Sequence, residues 1–260
     1  MSHWSKNIFK NGLPILWAYF TWMIPYSGKS RQKYPIDKRY NKLKKLISRI
    51  NDGFDVKLHI EGKENLPKGP FCLFPNHLSS YDPLVLLLAL DEPTSFVAKR
   101  EVEKQPFVRK CLLVIDGVSI DRNNLKQSLQ IMNHVENDLK EGNKNWIIFP
   151  EGTRNKDPFA NVKEFHHGSF RPAFKANVPI VPVAIYGTQR VLKKNTKYKQ
   201  YPVFIKFLPP IMPEDYQNMT TKDIAVLTHD MIQKTISFDL KNNDHQEMIN
   251  DKFYIFNQLL

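Results

Sequence analysis

The sequence has 260 residues, of which 42% are hydrophobic and 25% are charged. These proportions exclude an intrinsically disordered chain and are typical of a protein with a packed core. The formal net charge is +12, but residues 1–50 hold eleven Lys and Arg side chains and a single acid, so the rest of the chain is close to neutral. Such a basic N-terminal arm prefers a polyanion, either a nucleic acid or an anionic bilayer. The two cysteines form no CxxC pair and no disulfide framework.

The first predicted element is an apolar helix over residues 7–26. Its polar or weakly apolar positions recur every three or four residues, which predicts one narrow polar stripe on an otherwise apolar helix. The uncharged run at 11–27 has 17 residues and contains two prolines. We therefore expect an interfacial or re-entrant helix in preference to a membrane-spanning one. A signal peptide is disfavoured because no A-x-A-like cleavage site follows.

A second helix is predicted after Pro35, where apolar residues recur at intervals of four and three: Ile36, Tyr40, Leu43, Ile47 and Ile50. A basic amphipathic helix beside a Trp-rich apolar one is typical of a membrane-surface anchor. The alternative is a helical hairpin packed on the protein's own core or on a partner. Nucleic acid is not expected as a partner, because the aromatic residues cluster apart from the charges.

The remaining pattern alternates between strands and helices. It predicts an edge strand at 54–61, further strands at 71–75, 95–98, 112–120, 146–150, 178–185 and 203–208, and helices at 83–90, 124–141 and 221–238. The helix at 124–141 is expected to carry Leu125, Leu129, Met132 and Leu139 on one face. We therefore predict a single α/β domain at 54–240, with a mixed, largely parallel sheet flanked by helices. The membrane-associating two-helix arm at 1–53 precedes it, and a C-terminal tail at 241–260 follows.

Three polar clusters follow directly on apolar runs, at 76–82, 121–122 and 151–154. Ligands of open α/β sheets bind just beyond the carboxyl ends of the strands. If the strands are roughly parallel, the three clusters converge at one edge. A structure that placed His77 and Arg154 at opposite edges would refute this hypothesis.

The first cluster contains His77 five residues before Asp82, which is followed by Pro83. An aspartate before a proline predicts a helix start, with Asp82 as the N-cap. A carboxylate fixed there could bond one imidazole nitrogen of His77 and leave the other as a general base, acting on a hydroxyl of the substrate itself. On this spacing alone, the simpler interpretation is favoured, in which Asp82 only caps its helix and His77 is an ordinary loop residue.

The third cluster places Glu151, Gly152, Thr153 and Arg154 after a predicted strand. A glycine beside an acid, a hydroxyl and an arginine suits phosphate, which Arg154 can bind through two parallel hydrogen bonds. The alternative is a structural Glu151–Arg154 salt bridge across a turn. Arg122 is a second candidate phosphate ligand, although a lone arginine at such a position is usually a solvated surface residue.

Together these clusters resemble the four sequence blocks of the glycerolipid acyltransferase family, and most closely the bacterial-type 1-acyl-sn-glycerol-3-phosphate (lysophosphatidate) acyltransferases. The first block, N-H-x-S-x-x-D, is matched by Asn76, His77, Ser79 and Asp82. The others are matched at 117–122, at 149–154 (F-P-E-G-T-R without change) and at 178–183. The region of Lys99 and Arg100 is also similar. One departure is Phe-His-His-Gly at 165–168, where many relatives carry a lysine after the phenylalanine.

The resemblance implies a role for each residue. His77 would be the general base and Asp82 would orient it, while Asn76 and Ser79 would shape the loop. The remaining candidates would bind the phosphate and backbone of the acceptor: Lys99, Arg122, Glu151, Gly152, Thr153 and Arg154. The implied reaction moves an acyl group from acyl-CoA or an acyl carrier protein, as co-substrate, to the sn-2 hydroxyl of 1-acyl-glycerol-3-phosphate, giving phosphatidic acid. No acyl-enzyme, metal or further cofactor is implied.

The arm and the resemblance point to the same place in the cell. A lysophosphatidate acceptor lies in the bilayer and its thioester donor is water-soluble, so we expect a monotopic or peripheral enzyme at an anionic membrane surface, with its active site on the cytoplasmic side. The alternatives are the same chemistry on glycerol-3-phosphate or another lysophospholipid, and a non-catalytic lipid-binding protein. A hydrolase is disfavoured because the sequence contains no G-x-S-x-G motif.

Overall fold

A computed structural model describes residues 3–156, 161–193 and 200–250, with side chains described between residues 10 and 247 of these ranges. Their strands form one sheet: β1 (Val56–Glu61), β2 (Cys72–Pro75), β3 (Thr94–Lys99), β4 (Val118–Ile120), β5 (Asn145–Ile148), β6 (Ile180–Tyr186) and β7 (Tyr201–Phe207). The strand order is β1-β7-β6-β2-β5-β3-β4. Only the β6–β7 pair is antiparallel among these described strands. The predicted mixed, largely parallel sheet is confirmed, with β1 at one edge.

The helices of the described residues lie between and around these strands: α1 (His3–Ala18), α2 (Ile24–Ser27), α3 (Ile36–Gly53), α4 (Asp82–Ala89), α5 (Pro106–Val114), α6 (Leu125–Lys140), α7 (Arg171–Ala176), α8 (Thr188–Val191), α9 (Pro213–Tyr216), α10 (Thr221–Thr235) and α11 (Lys241–Asn250). A π-helical turn, Tyr19–Met23, joins α1 to α2, and another, Ile236–Leu240, joins α10 to α11. The first ten residues of the predicted tail are thus helical. Its final aromatic patch lies outside the described residues.

The sheet is covered on both faces, because successive residues of a strand point to opposite sides. Leu73 of β2 packs in a cluster with α3, α4 and α5, while its neighbour Phe74 packs in a second cluster with α6 and α10. Parallel strands buried in this way read as continuous apolar runs, as the central strands do here. The α/β domain therefore has a hydrophobic cluster on each face of one sheet.

The predicted strand at 112–120 is wrong in its first half. Residues 112–114 form the last turn of α5, and β4 begins only at Val118. A short apolar run cannot by itself distinguish a buried strand from a buried helix. Here Pro106 lies in the first turn of α5, where its fixed φ suits a helix and its missing N–H is not needed.

The apolar face predicted for α6 is also only partly correct. Leu139 is buried together with Val135, but Leu125 and Leu129 are 74% and 45% exposed. The N-terminal half of α6 extends past the second hydrophobic cluster, so the helical periodicity continues where no core lies beneath it.

The two-helix arm is packed against the body. Trp22, Met23 and Tyr26 are buried in the cluster formed with α3, α4 and α5. The buried Arg39 guanidinium bonds both carboxylate oxygens of Asp116, at 3.0 and 2.6 Å. The predicted alternative of a hairpin on the protein's own core is therefore correct for the inner face of the arm.

The outer face of the arm remains apolar and exposed. Five large side chains on it, called the arm stripe below, recur at helical spacing and are 43–79% exposed: Leu13, Leu16, Trp17, Phe20 and Ile24. In the part of the chain that is described, no helix combines the length and apolar character needed to cross a membrane.

Candidate active site

The three predicted polar clusters meet at one edge of the sheet. Strands β2, β5, β3 and β4 are successive parallel neighbours, so their carboxyl ends lie at the same edge. The His77 N–H donates to Glu151 Oε1 (2.8 Å), and Arg122 Nη1 donates to the Gly152 carbonyl. Arg154 Nη1 donates to Ser80 Oγ in the His77 loop (2.7 Å). The predicted convergence of the clusters is confirmed.

His77 and Asp82 form a hydrogen-bonded pair. His77 Nδ1 lies 2.7 Å from Asp82 Oδ2, and Asp82 is completely buried. The same oxygen accepts the N–H groups of Leu78 (2.7 Å) and Ser79 (2.8 Å). Because an ionised carboxylate can only accept, we assign the imidazole proton to Nδ1, which leaves Nε2 as the basic nitrogen. The His77 side chain is 18% exposed, so a ligand can reach it.

The predicted N-cap role of Asp82 is wrong by one residue. Tyr81 is the N-cap of α4, Asp82 is its first residue and Pro83 its second. In the described structure, the Asp82 carboxylate binds groups upstream of the helix and none of the helix's own N–H groups. The reason is that the loop from His77 folds back over the start of α4. The Asp82 carboxylate thus binds the histidine loop and does not cap the helix.

Glu151 lies behind His77 and does not pair with Arg154. It is 3% exposed and accepts the main-chain N–H of His77, while the Asn155 N–H donates to the His77 carbonyl (2.6 Å). The centroid of the Phe149 ring lies 4.2 Å from the centroid of the His77 ring. The segment at 149–155 therefore contacts both the backbone and the imidazole of His77. The alternative of a structural Glu151–Arg154 salt bridge is absent from the described contacts, because each side chain has a different partner.

Burial raises the pKa of the Glu151 carboxyl group to about 7. The backbone N–H groups of His77 and Lys163 oppose this rise, and the charge of Asp82 adds to it. Because Glu151 has so little exposed surface, its position favours a role in supporting His77. The sequence predicts instead that Glu151 contacts the acceptor substrate directly.

Gly152 is required by both conformation and space. Its φ is +71°, a region that side chains with a Cβ rarely adopt. A Cβ at this position would overlap the Arg122 guanidinium, which donates to the Gly152 carbonyl. The glycine therefore permits the contact that joins the second and third clusters.

A cleft of about 690 Å³ opens at the same edge, and its lining is mostly charged. The lining includes Lys99, Arg100, Lys104, Arg122, Glu101, Glu103, Asp121 and Thr153. Lys99 pairs with Glu101 (2.7 Å) and Arg100 with Asp121 (2.6 Å). The predicted ligands Lys99, Arg122 and Thr153 thus share one cleft, while Arg154 is not part of its lining. In the described chain, no group of three His, Cys, Asp or Glu side chains is placed to hold a metal ion.

Asn76 and Ser79 hold the loop that carries His77. The Asn76 amide donates to the Ile185 carbonyl (3.0 Å) and accepts the Ile185 N–H (2.7 Å). Ser79 Oγ accepts the Tyr81 N–H at 3.2 Å. Neither side chain is directed to the cleft lining.

The sequence prediction missed several residues at the site, among them Ser80, Arg100, Lys104 and Asn155. Three of these four lie within or directly beside a predicted cluster or region, and Lys104 lies five residues after Lys99. Arg100 follows the candidate Lys99, and Asn155 follows the third block. Adjacency was the available signal, but the contact between Asn155 and His77 depends on the packing of β2 beside β5.

Comparison with known proteins gives consistent results. A family model described as Acyltransferase matches residues 57–186. The "probable 1-acyl-sn-glycerol-3-phosphate acyltransferase" of Mycoplasma pneumoniae is 30% identical over 207 residues, which cover 75% of this chain and 76% of the relative. The protein of the same description from Mycoplasma genitalium is 29% identical over 234 residues, covering 85% and 84%. The crystal structure of the 1-acyl-sn-glycerophosphate (LPA) acyltransferase from Thermotoga maritima has the same fold, with a TM-score of 0.68, 24% identity, and coverage of 90% of this chain and 98% of that one.

Proposed function

The chain belongs to the acyltransferase family, and from this premise we propose that it acylates the sn-2 hydroxyl of 1-acyl-glycerol-3-phosphate to give phosphatidic acid. The protein is an O-acyltransferase. The proposed donor is a thioester, either acyl-CoA or an acylated carrier protein. The buried Asp82 carboxylate, 2.7 Å from His77 Nδ1, is the observation that supports this mechanism most directly.

In the proposed mechanism, His77 Nε2 removes the proton from the acceptor hydroxyl. The hydroxyl oxygen attacks the thioester carbonyl carbon and forms the new ester bond, while the carbon–sulfur bond breaks. The leaving thiolate takes the proton back from Nε2. Asp82 holds the imidazole in place and stabilises the imidazolium that forms between these steps, as the acid of a catalytic triad does. No acyl-enzyme is needed, because the acceptor itself supplies the nucleophile.

The cleft is the proposed site for the acceptor headgroup. Lys99 and Arg122 supply positive charge there, and Thr153 supplies a hydroxyl. Arg154, which donates to Ser80 Oγ in the His77 loop, can present its guanidinium to the same phosphate or to the glycerol backbone. Gly152 contributes its backbone, whose conformation brings Arg122 to the edge of the site.

Glu151 is proposed as a positioning residue. It fixes the main-chain N–H of His77 from behind, while the N–H of Asn155 fixes the carbonyl. A base held on both sides of its peptide group stays aligned with Asp82 and with the acceptor hydroxyl. Alignment of this kind matters because displacements of about 1 Å can lower a rate on the order of a hundredfold.

The proposed location is the surface of an anionic membrane, with the site on the cytoplasmic side. The arm stripe supplies exposed apolar side chains, and α3 supplies exposed cations, including Lys38, Lys45 and Arg49. Apolar insertion and attraction to anionic lipids together bind such helices at an interface. The lipid acceptor would then enter from the bilayer and the donor from solution.

Acceptor profiling tests the proposal. The purified protein is given one acyl-CoA with lysophosphatidate, glycerol-3-phosphate or another lysophospholipid, and product ester is measured. Turnover is expected with lysophosphatidate and should be lost in His77→Ala, whereas His134→Ala, a half-exposed histidine on α6, should behave as wild type. Absence of turnover with lysophosphatidate, together with turnover of another acceptor, would move the assignment to that acceptor.

A further inference from the structure

Helix α6 presents two leucines to solvent near its start. Leu125 and Leu129 are 74% and 45% exposed and lie one turn apart, which places them on the same face of the helix. The buried apolar residues of this helix, Val135 and Leu139, lie further along it. The leucine pair is therefore not part of the hydrophobic core that holds α6 on the sheet.

The leucine pair lies beside the mouth of the cleft. Strand β4 ends at Ile120, and the next residues, 121–123, line the cleft. Helix α6 starts two residues later, at Leu125. Any surface that meets the mouth of the cleft on this side therefore also meets the exposed leucines.

The end of the arm stripe that contains Leu13 lies at the same edge of the sheet as the cleft. The Asn11 side chain donates to the Arg49 carbonyl (3.0 Å), near the end of α3. Two residues further, Asn51 accepts the hydroxyl of Tyr81 (3.2 Å), the residue before Asp82. The arm packs in the cluster on one face of the sheet, whereas α6 packs in the cluster on the other. Exposed apolar side chains thus flank the site from both faces.

The charges around the leucine pair are mainly positive. Arg122 and Lys126 are exposed beside it, and the first turn of α6 contains no acid, although acids are favoured at that position. Two of the three acids that line the cleft are paired with cations, Asp121 with Arg100 and Glu101 with Lys99, whereas Glu103 accepts the Ser119 hydroxyl. Apolar side chains beside exposed cations match an anionic lipid surface.

We propose that Leu125 and Leu129 form a second bilayer contact, which together with the arm stripe places the mouth of the cleft against an anionic membrane. The inference rests on the proposed function, because a lipid acceptor must pass from the bilayer into this cleft. Two contacts on opposite sides of the mouth would define the orientation of the enzyme. A single helical arm would leave it free to tilt.

The test compares Leu125→Ser/Leu129→Ser with a matched control, Val226→Ser/Leu227→Ser, an exposed apolar pair on α10. Two measurements are made on each protein in its full length. The first is co-sedimentation with phosphatidylcholine vesicles that contain phosphatidic acid. The second is turnover, with acyl-CoA and with an acylated carrier protein in turn as donor, on long-chain lysophosphatidate in those vesicles and on short-chain 1-hexanoyl-glycerol-3-phosphate in solution.

The leucine variant is expected to bind vesicles about tenfold more weakly and to lose a similar factor of turnover on the vesicle substrate. Its turnover of the soluble substrate should equal that of wild type. The control pair should match wild type in every assay. Circular dichroism and thermal melting check folding, and the single Leu125→Ser variant, at the more exposed position, repeats the test if the double variant melts early.

Other outcomes overturn the inference. Wild-type vesicle binding and turnover by the leucine variant would do so, as would an equal loss on the soluble substrate. Loss that appears only with an acylated carrier protein as donor, with vesicle binding intact, would assign the leucines to docking of an acidic protein. If wild type turns over neither acceptor, the proposed function fails, and vesicle binding still tests the membrane contact separately.

Discussion

Substitutions at Glu151 separate a positioning role from a substrate-binding role. Alanine removes both the carboxylate and the acceptor for the His77 N–H, whereas glutamine keeps an acceptor oxygen of the same reach and removes only the charge. Aspartate keeps the charge, but its side chain is one methylene shorter. These three variants therefore test the hydrogen bond and the charge independently.

The expected magnitude follows from the contacts. In Glu151→Ala, a buried N–H loses its partner, and an unpaired buried donor costs about 1–3 kcal/mol. If this loss is expressed in the alignment of His77 at the transition state, kcat falls roughly 5- to 150-fold. Glu151→Asp should show a similar fall. Glu151→Gln should retain most of the wild-type kcat, because the bond to His77 can still form.

A second effect concerns pH. Burial raises the pKa of Glu151 from 4.5 to about 7, so the native state binds this proton more tightly than the unfolded state does. The contribution of Glu151 to the wild-type free energy of unfolding is therefore most favourable below pH ~4.5. This free energy falls by up to roughly 3 kcal/mol as the pH rises toward the pKa of the folded state. Glutamine does not titrate. The free energy of unfolding of Glu151→Gln relative to wild type should thus increase between pH 5 and pH 8.

Steady-state kinetics and chemical denaturation at both pH values provide the measurements. A positioning role predicts changes in kcat with the acceptor KM nearly unchanged, and rescue of the alanine defect in the glutamine variant. An increase in acceptor KM with unchanged kcat would show that Glu151 binds substrate and would refute the reasoning. Equal pH dependence of unfolding in wild type and Glu151→Gln would refute the pKa argument.

Three further predictions address other parts of the site and the arm. His77→Ala should lower kcat about 10²- to 10⁴-fold while circular dichroism and the melting temperature stay near wild type, and wild-type turnover would exclude the general base. Gly152→Ala should destabilise the fold by about 1–3 kcal/mol in denaturant titrations and lower turnover, because the residue has φ +71° and adjoins the Arg122 guanidinium. Arg39→Met should cost about 1–3 kcal/mol of unfolding free energy, because Asp116 keeps its bond to Arg31 (2.9 Å) but loses the one to the buried Arg39, and an unchanged free energy of unfolding would show that the arm does not depend on this pair.

Some features of this protein depend on residues that are close in the sequence. The alternating strands and helices follow from local apolar patterns, and the Asp82–Pro83 pair located the start of α4 to within one residue. The order of the polar blocks after apolar runs indicated a site at the carboxyl edge of a parallel sheet. These inferences succeed because periodicity and turn chemistry act over a few residues.

Other features depend on contacts between distant segments. Glu151 has a basic residue three positions away in the sequence, yet its carboxylate binds the N–H of His77, which β2 and β5 bring close as neighbouring strands. Helical spacing placed Leu125 and Leu139 on one face, but only the turn that lies over the sheet is buried. The arm likewise has an inner face in the core and an outer apolar face.

The sequence by itself determined the candidate residues and the class of fold, because chemical type and local periodicity are written in it directly. The tertiary structure alone decided which partner each residue has: His77 Nδ1 lies 2.7 Å from Asp82 Oδ2, and Glu151 accepts the main-chain N–H of His77. The physical reason is that burial and hydrogen-bond geometry depend on strand order. Strand order brings together residues that lie 74 positions apart in the chain.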